Sequence, residues 1–583
     1  MALAEPRRRA PWPGGVGVWQ WAVCLLAALL VLLPIVSLVR HALQDTGDLW
    51  SHLAAYVLPQ ALGDSLILLL GVGVLVVLIG SGTAWLVSAY EFPGRGILNW
   101  ALLLPLAMPT YIIAYAYLDL WHPVGVLQTG LRGLLGYSSP RELRLPDIRS
   151  MSGCVLLLGL VLYPYVYLPV RAAFRMQAAG LIEASRSLGA GPWRTFFRVA
   201  LPLARPAIAI GASLALMEAL NDIGASEFLG VRTLTVSIYS TWANRSSLAG
   251  ASQIALFMLL IVLALLFMER WARRHQRYAA GARQSQRLAP RQLRGVSGWL
   301  ACIACVVPVL LGFILPAGYL VVEAVKRIRF TGIEAAIWVE AGNTLRVSLW
   351  ATLLATLLAF ALVQTWRQTQ KKSVRLLVRI AGVGYAIPGT VLALSLLTPV
   401  GWLDQRLGDL VQHVLGVPVG LLLSGSVAML VYAYVVRFLV IGSGSMEAGF
   451  SKIPRSIDDA AHSLGAGAGR VAWRIHLPLS WQAIAAGMLL TFVDCMKELP
   501  ATLLLRPMNF ETLATHLYGE AVRGTYESAA VAALLIVLIG LLPIILLSRS
   551  GQQAVRQHDA TAGQQDTQAQ VIERQAGYGH ENN

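Results

Sequence analysis

Apolar residues run in blocks of about 20, the length that crosses the hydrocarbon core of a bilayer as a helix, and short polar segments rich in arginine separate them. Blocks near 18–40, 62–90, 97–120, 151–172, 206–230 and 251–269 form one series, and 299–325, 344–366, 376–400, 419–442, 481–505 and 526–548 a second. The pattern predicts an all-α integral membrane protein of about twelve transmembrane helices in two tandem sets of six. The expected organisation is an N-terminal cytoplasmic arm (1–17), a first repeat (18–269), a basic cytoplasmic linker (270–297), a second repeat (298–549) and a polar tail (550–583). Arg270, Arg273, Arg274, Arg277, Arg283, Arg287, Arg291 and Arg294 mark the linker, and the Gln-rich tail has too little apolar content to pack. The first block follows Arg7, Arg8 and Arg9 as a secretory signal would, but it is long enough to span and no small-residue cleavage site follows it, so a retained helix is expected.

Composition agrees with lipid as the solvent: 56% of the 583 residues are hydrophobic and 13% charged. The net charge of +16 is spread through the segments between blocks, which favours membrane topology over nucleic-acid binding. An inside N-terminus leaves Arg7 to Arg9, Arg95, the stretch 171–205, the linker, 367–379, 452–474 and Arg549 on the cytoplasmic side, while the external loop 42–61 has no Lys or Arg. Arg132, Arg141, Arg144, Arg149, Lys326, Arg327 and Arg329 would then lie outside, against the rule, but the reversed orientation would export most of the arginines. Cys24, Cys154, Cys302, Cys305 and Cys495 all sit in or beside apolar blocks, where thiols act as small hydrophobes, and no disulfide framework is expected.

The chain repeats itself. Glu183-Ala184-Ser185-Arg186-Ser187-Leu188-Gly189-Ala190-Gly191 is echoed by Asp459-Ala460-Ala461-His462-Ser463-Leu464-Gly465-Ala466-Gly467, and Leu201, Pro202 and Ile208 meet Leu477, Pro478 and Ile484 without a gap. Glu218 pairs with Asp494 and Asp222 with Glu498 in the same register. Thr233-Leu234 matches Thr512-Leu513, Met108-Pro109 matches Ile387-Pro388, and Asp64-Ser65-Leu66 matches Asn343-Thr344-Leu345. An even number of helices per copy gives both copies one orientation, related by an axis along the membrane normal, with a pseudo-symmetric pore between them.

The best-matched segment falls in a cytoplasmic loop between the fourth and fifth spans of each copy. A short helix over 182–188 is expected to end at Gly189, because glycine accepts the left-handed conformation past a helix end, and Pro192 is placed to open the next helix. The spacing E-A-A, three residues, G, nine residues, I-x-L-P resembles the coupling motif of binding-protein-dependent ABC importer permeases. It reads Glu183-Ala184-Ser185, Gly189, Val199-Ala200-Leu201-Pro202, and then Asp459-Ala460-Ala461, Gly465, Ile475-His476-Leu477-Pro478, departing at Ser185, Val199 and Asp459. Residues 217–224 and 493–507 further resemble the ferric-iron branch, whose permeases are fused, two-repeat proteins, and relatives handling thiamine share that architecture. The resemblance, covering most of 60–550, implies the MetI-like permease fold with Glu183, Ala184, Gly189, Leu201, Pro202, Asp459, Ala460, Gly465, Leu477 and Pro478 at the ATPase contact. It implies as partners a homodimer of ATP-binding subunits, which holds the ATP and Mg, and a periplasmic or lipid-anchored substrate-binding protein. The expected location is a bacterial inner membrane, multi-pass, with both termini cytoplasmic, and the first choice of cargo is ferric iron.

Glu218 and Asp222 share one helical face, as do Asp494 and Glu498. Counting from Pro206 at about 1.5 Å per residue places Glu218 roughly 18 Å into the membrane, where a carboxylate needs water or a partner. Two readings stand: these acids line a cation pathway, or they bond neighbouring helices, with Lys497 neutralising Asp494. No G-x-x-x-x-G-K-[ST] and no H-E-x-x-H occurs, so no catalytic residue, bound cofactor or resident metal is assigned to this chain, and His462 and His476 read as solvated loop residues. The rivals are a permease for thiamine or another small solute, an ion-coupled secondary transporter, which needs no repeated loop motif, and, more distantly, a membrane enzyme.

Overall fold

The computed structural model describes residues 18–176, 179–273, 290–369, 371–416 and 421–545. The expected arm (1–17), linker residues 274–289 and the polar tail (550–583) lie outside the described residues. Among those described, nine helices are long and apolar enough to cross a membrane singly, and three bent pairs, each counted as one span, bring the number to twelve. Six fall in each half: Val18–Ala42, Asp48–Ala89, Arg95–Ala107 with Thr110–Leu120, Met151–Leu162 with Pro164–Phe174, Pro192–Asn221 and Leu248–Glu269; then Val296–Thr331, Ala335–Thr369, Lys372–Ala386 with Gly389–Val414, Val427–Ser451, Ala468–Met496 and Tyr526–Ile545. One face of many spans is apolar and exposed, as Leu29, Leu70, Leu78 and Leu357 show; lipid is the solvent that suits such a surface. The described sheet is a two-residue parallel pairing of Tyr90–Glu91 with Arg291–Gln292, which fastens the end of the linker to the loop after the second span.

Four local features depart from the expectation of straight spans. The third span of each half is bent, by 92° between Arg95–Ala107 and Thr110–Leu120 and by 113° between Lys372–Ala386 and Gly389–Val414. Pro109 and Pro388 lack an N–H and push the residue before them out of the helical region; Met108 has φ −95°, ψ 109° and Ile387 φ −80°, ψ 119°. The fifth spans stop at Asn221 and Met496 instead of running to 230 and 505, and the short helices Gly224–Phe228 and Pro500–Leu505 follow. The loop 42–61 is helical from Asp48 onward. Finally, π-helical turns occupy Leu53–Val57, Phe196–Ala200, Leu310–Ile314 and Ala472–His476, each directly followed by a Leu-Pro pair. A proline offers no N–H to the carbonyl one turn earlier and its ring displaces that carbonyl, so the helix absorbs an extra residue there.

The repeat explains itself in hydrogen bonds. Leu234 N donates to Ser65 Oγ, and Leu513 N donates to Thr344 Oγ1, each at 2.9 Å. Thr233 and Thr512 cap the helices that follow, accepting from Val236 N and Thr515 N. Close approach within each half rests on a repeat-related glycine. A Cβ on Gly211 would lie 2.4 Å from the Tyr165 carbonyl and 2.6 Å from Val166 Cα, and one on Gly487 would lie 2.8 Å from Ser445 Cβ. Backbone cannot step aside as a rotamer can, so Gly211→Ala is expected to cost about 1–3 kcal/mol. Thermal unfolding in detergent would register the loss, and Gly487→Ala, facing a side chain, would cost less.

Candidate functional site

The repeated loops fold alike. Ala179–Ser187 and Arg455–Ser463 are short helices, each ended by a glycine with positive φ, 81° at Gly189 and 77° at Gly465. Ala190 N donates to Ser185 O (3.1 Å) and Gly189 N to Arg186 O (3.0 Å); Ala466 N donates to Ala461 O (2.9 Å) and Gly465 N to His462 O (2.9 Å). This crossed pair of bonds closes a helix only where the second-last residue is left-handed, which selects glycine. The ended helix then presents Leu188, 88% exposed, and Leu464, 87% exposed, at its tip. Glu183 is half-buried, Ala184, Asp459 and Ala460 are exposed, and Leu201-Pro202 and Leu477-Pro478 follow the π turns that lead into the fifth spans. Six spans, each bent pair counted once, separate one loop from the other, which puts both on one side of the bundle, termed the loop face below.

What holds the loops differs between halves. In the first, Ile182 and Ala200 are fully buried and the rings of Trp85, Phe174 and Phe196 pack together, Trp85 lying 5.4 Å from each of the other two. In the second, the equivalent places carry Asp458 and His476, and the second span supplies Gln364 and Arg367. His476 Nε2 meets Asp458 Oδ1 at 2.8 Å and its Nδ1 meets Gln364 Oε1 at 2.8 Å. Arg367 Nε donates to Asp458 Oδ2 at 2.9 Å and its Nη2 to the Ile453 carbonyl at 3.1 Å. His476 is thus not a solvated loop residue as expected but wholly buried, because the π turn directs it inward against Phe450. His462 is half-buried, with Nδ1 at the Ala466 carbonyl. Burial alone would raise the Asp458 carboxyl, but its bonds with Arg367 and His476 hold it below the usual carboxylate range.

At mid-membrane the two halves meet around the four predicted acids, and the structure divides them into two kinds. Asp222 and Glu498 are buried and brace the breaks: Asp222 Oδ2 accepts from Ser226 N (3.1 Å) and its Oδ1 from Thr110, while Glu498 Oε1 accepts from Ala501 N (3.1 Å) and pairs with Arg437 Nη1 (3.5 Å). These carboxylates satisfy the first free N–H groups of the short helices, which is why the fifth spans end before them. Glu218 and Asp494 are half-buried. Glu218 accepts from the Tyr385 hydroxyl at 2.8 Å, and Asp494 pairs with Lys497 at 2.7 Å. All four acids line a cavity of ≈ 80 Å³ between the halves. Asp494 and Lys497 also line a larger one of ≈ 800 Å³ with Glu269, Arg379 and Tyr385, and because Glu269 ends the sixth span of the first half, this cavity reaches toward the loop face. Among the described residues no group of three or more His, Cys, Asp or Glu is placed to hold a metal ion.

Three members of this cluster escaped the sequence reading. Arg437, only 5% exposed, donates to Asn221 Oδ1 (3.2 Å), which also accepts from Gly389 N (2.7 Å), so one amide ties the first half to two elements of the second. Its signal was present: a lone arginine inside the apolar block 419–442 is a functional candidate by position alone. Asn221 and Tyr385 carried no such mark. In repeat register Arg437 faces Val161 and Lys497 faces Asn221, so both cations of the cluster come from the second half.

On the face opposite the loops, His516 and Glu340 form a pair at 3.0 Å; the first half has Ser237 in place of His516. The hydrogen bond with Glu340 raises His516 above the ordinary histidine value. A raised value means that the pair stabilises fully below the ordinary value of about 6.5 and loses that contribution as pH rises through the raised one. Protection factors for amide exchange in Leu513–Arg523, which remove the intrinsic pH dependence, are expected to fall across that window, while those of Leu234–Ala243 stay unchanged as an internal control.

The profile of the family described as "Binding-protein-dependent transport system inner membrane component" matches residues 76–278 and again 351–556. The chain is 25% identical over 546 residues to the Fe(3+)-transport system permease protein FbpB 2 of Haemophilus influenzae, covering 91% of this chain and 98% of that one. It is 30% identical over 204 residues to the molybdenum transport system permease protein ModB of Escherichia coli, covering 34% of this chain and 86% of the relative. A putative 2-aminoethylphosphonate transport system permease protein, PhnU of Salmonella choleraesuis, is 28% identical over 264 residues, 44% of this chain and 91% of its own length.

Proposed function

Because this chain belongs to the family of binding-protein-dependent transport system inner membrane components, we propose that it is a permease that moves ferric iron inward, driven by ATP hydrolysed on a separate subunit. The observation that carries the ATP-driven part is the duplicated loop: one glycine-ended helix, twice, each offering an exposed leucine at the same place. Isolated exposed leucines are ordinary, but two in repeat-related positions on one face suit a partner with two equivalent sockets. The loop face is then cytoplasmic, both termini lie on that side, and a homodimer of ATP-binding subunits with its ATP and Mg docks there. ATP binding draws the loops together and opens the pathway outward; hydrolysis returns it to the inward-open form, to which the ≈ 800 Å³ cavity corresponds. A substrate-binding protein delivers cargo to the other face.

Ferric iron as cargo is supported by a relative that matches nearly end to end and by the excess of carboxylates in the cluster, Glu218, Asp222, Asp494 and Glu498 against Arg437 and Lys497. Hard cations prefer oxygen ligands of this kind. A second reading has its own observation: Arg437 Nε is buried with no partner among the described residues, which would suit an oxyanion such as the molybdate or phosphonate of the other relatives. Uptake of labelled iron into vesicles holding this chain, its ATPase and binding protein tests both, with molybdate and thiamine as competitors. ATP-dependent iron uptake that neither competitor reduces is expected; ATP-dependent uptake of a competitor alone would overturn the iron assignment. Uptake that follows an ion gradient and ignores ATP would overturn the ABC reading.

A further inference from the structure

The segment 121–150 joins the third and fourth spans of the first half on the face opposite the loops, and it is built as a rigid frame. Gln128, 3% exposed, donates to the Trp121 carbonyl at 2.7 Å and accepts from Leu145 N at 3.2 Å. Trp121 Nε1 donates to the Pro146 carbonyl at 2.9 Å, and buried Arg132 donates to Thr129 Oγ1 and the Leu143 carbonyl. The frame encloses a cavity of ≈ 280 Å³ lined by Trp121, His122, Arg144, Asp147, Arg149 and Tyr526. Tyr526 begins the last span of the second half, so the cavity stands at the seam where the two halves meet.

Cations here are left uncompensated. Arg141, Arg144 and Arg149 are exposed, and among the described residues nothing bonds or pairs with their guanidinium groups. The nearby acids are engaged by backbone instead: Glu142 accepts from Ser138 N and Ser139 N, and Asp147 from Arg149 N. On this face the second half matches Lys326 with Glu323, Arg327 with Glu334, Arg506 with Glu511 and Arg523 with Glu520, and among the described residues leaves Arg329 exposed without a partner. A frame that fixes cations in place and spends the local carboxylates on main-chain N–H groups is complementary to an acidic surface supplied from outside.

We infer that Arg144 and Arg149 form the docking site for a carboxylate-bearing patch on the substrate-delivering protein, so that delivery is anchored on the first half and not evenly about the pseudo-twofold axis. The inference rests on the permease reading above. Peripheral charges govern encounter more than residence, so their effect lies in the association rate and its salt dependence. The test uses the full chain with its ATPase in lipid vesicles and the Fe(III)-loaded binding protein as probe. Arg144→Glu with Arg149→Glu is expected to slow association at low salt roughly tenfold or more, to raise the binding-protein concentration that half-maximally stimulates ATP hydrolysis, and to leave basal hydrolysis unchanged. Arg144→Lys with Arg149→Lys is expected to keep most of the rate, and both differences to shrink at high salt. Unchanged association for the charge-reversed pair, with the thermal midpoint intact, would overturn the docking site and leave the permease reading standing. An effect that vanishes in vesicles without anionic lipid would assign the arginines to headgroups and equally overturn it. If the unaltered complex shows no stimulation by any binding protein, the permease reading fails and the docking site with it.

Discussion

Glu218→Gln combined with Asp494→Asn is expected to lower iron uptake by about ten- to a hundredfold while the chain still folds and still binds its ATPase. These are the two half-buried carboxylates of the cluster, and among the described residues they are bonded by a hydroxyl, Tyr385, and by an ammonium, Lys497. Losing the attraction of two carboxylates for a passing cation removes roughly 1.5–3 kcal/mol of stabilisation at the narrowest point, which converts to that range of rate. Asp222→Asn and Glu498→Gln are expected to fail in another way. Each removes a charged cap from the start of a short helix, and Glu498→Gln also strips Arg437 of the carboxylate it pairs with at 3.5 Å, so folded yield falls before transport is affected. Uptake per folded molecule, with size-exclusion yield measured in parallel, separates the two. Equal uptake by the Glu218/Asp494 variant and the native chain would remove these acids from the pathway.

Asp458→Ala carries the largest stability effect in the loop region. It leaves Arg367 and His476 with no carboxylate where both are nearly sealed from solvent, at a cost of about 3 kcal/mol, and it frees Arg455–Ser463 from the second span. The first half shows how the same joint is made without charge. Asp458→Ile, His476→Ala, Arg367→Ser and Gln364→Trp together install its residues, Ile182, Ala200, Ser88 and Trp85, and are expected to recover most of the stability, because an apolar set of suitable volume often replaces a buried ionic one without loss. Thermal unfolding of the single and quadruple variants, with ATPase pull-down for loop integrity, measures this. A quadruple variant no better than Asp458→Ala would show that the network does more than hold the joint.

Much of this architecture was legible in the sequence because lipid imposes a strict length and polarity rule on each span, and each of the twelve predicted blocks overlaps a candidate span or bent pair. The glycines ending the loop helices were legible for a different reason, since positive φ narrows the choice of residue. Hydropathy failed where direction changes without a change in polarity. Met108-Pro109 and Ile387-Pro388 sit inside unbroken apolar runs, and the bends there follow from proline stereochemistry, which a window average does not weigh. His476 was misjudged for want of its partners: Asp458 is 18 residues away and Gln364 112, and only the fold brings them together. Arg437 stood in plain view inside an apolar block, but its contact with Asn221 crosses 216 residues.

The π turns at Phe196–Ala200 and Ala472–His476 stand between the loop helices and the spans that carry Glu218 and Asp494. Each stores one residue more than an α-helix would use, and one residue corresponds to about 100° of rotation and 1.5 Å of rise. The spare residue is taken up locally, so Glu218 and Asp494 point as they would from a helix one residue shorter. Deleting Val199 would let the first turn close as α-helix with Glu218 keeping its aim, whereas deleting Ile210, beyond the turn, would swing Glu218 by about 100° relative to the loop helix while Asp494 stayed put.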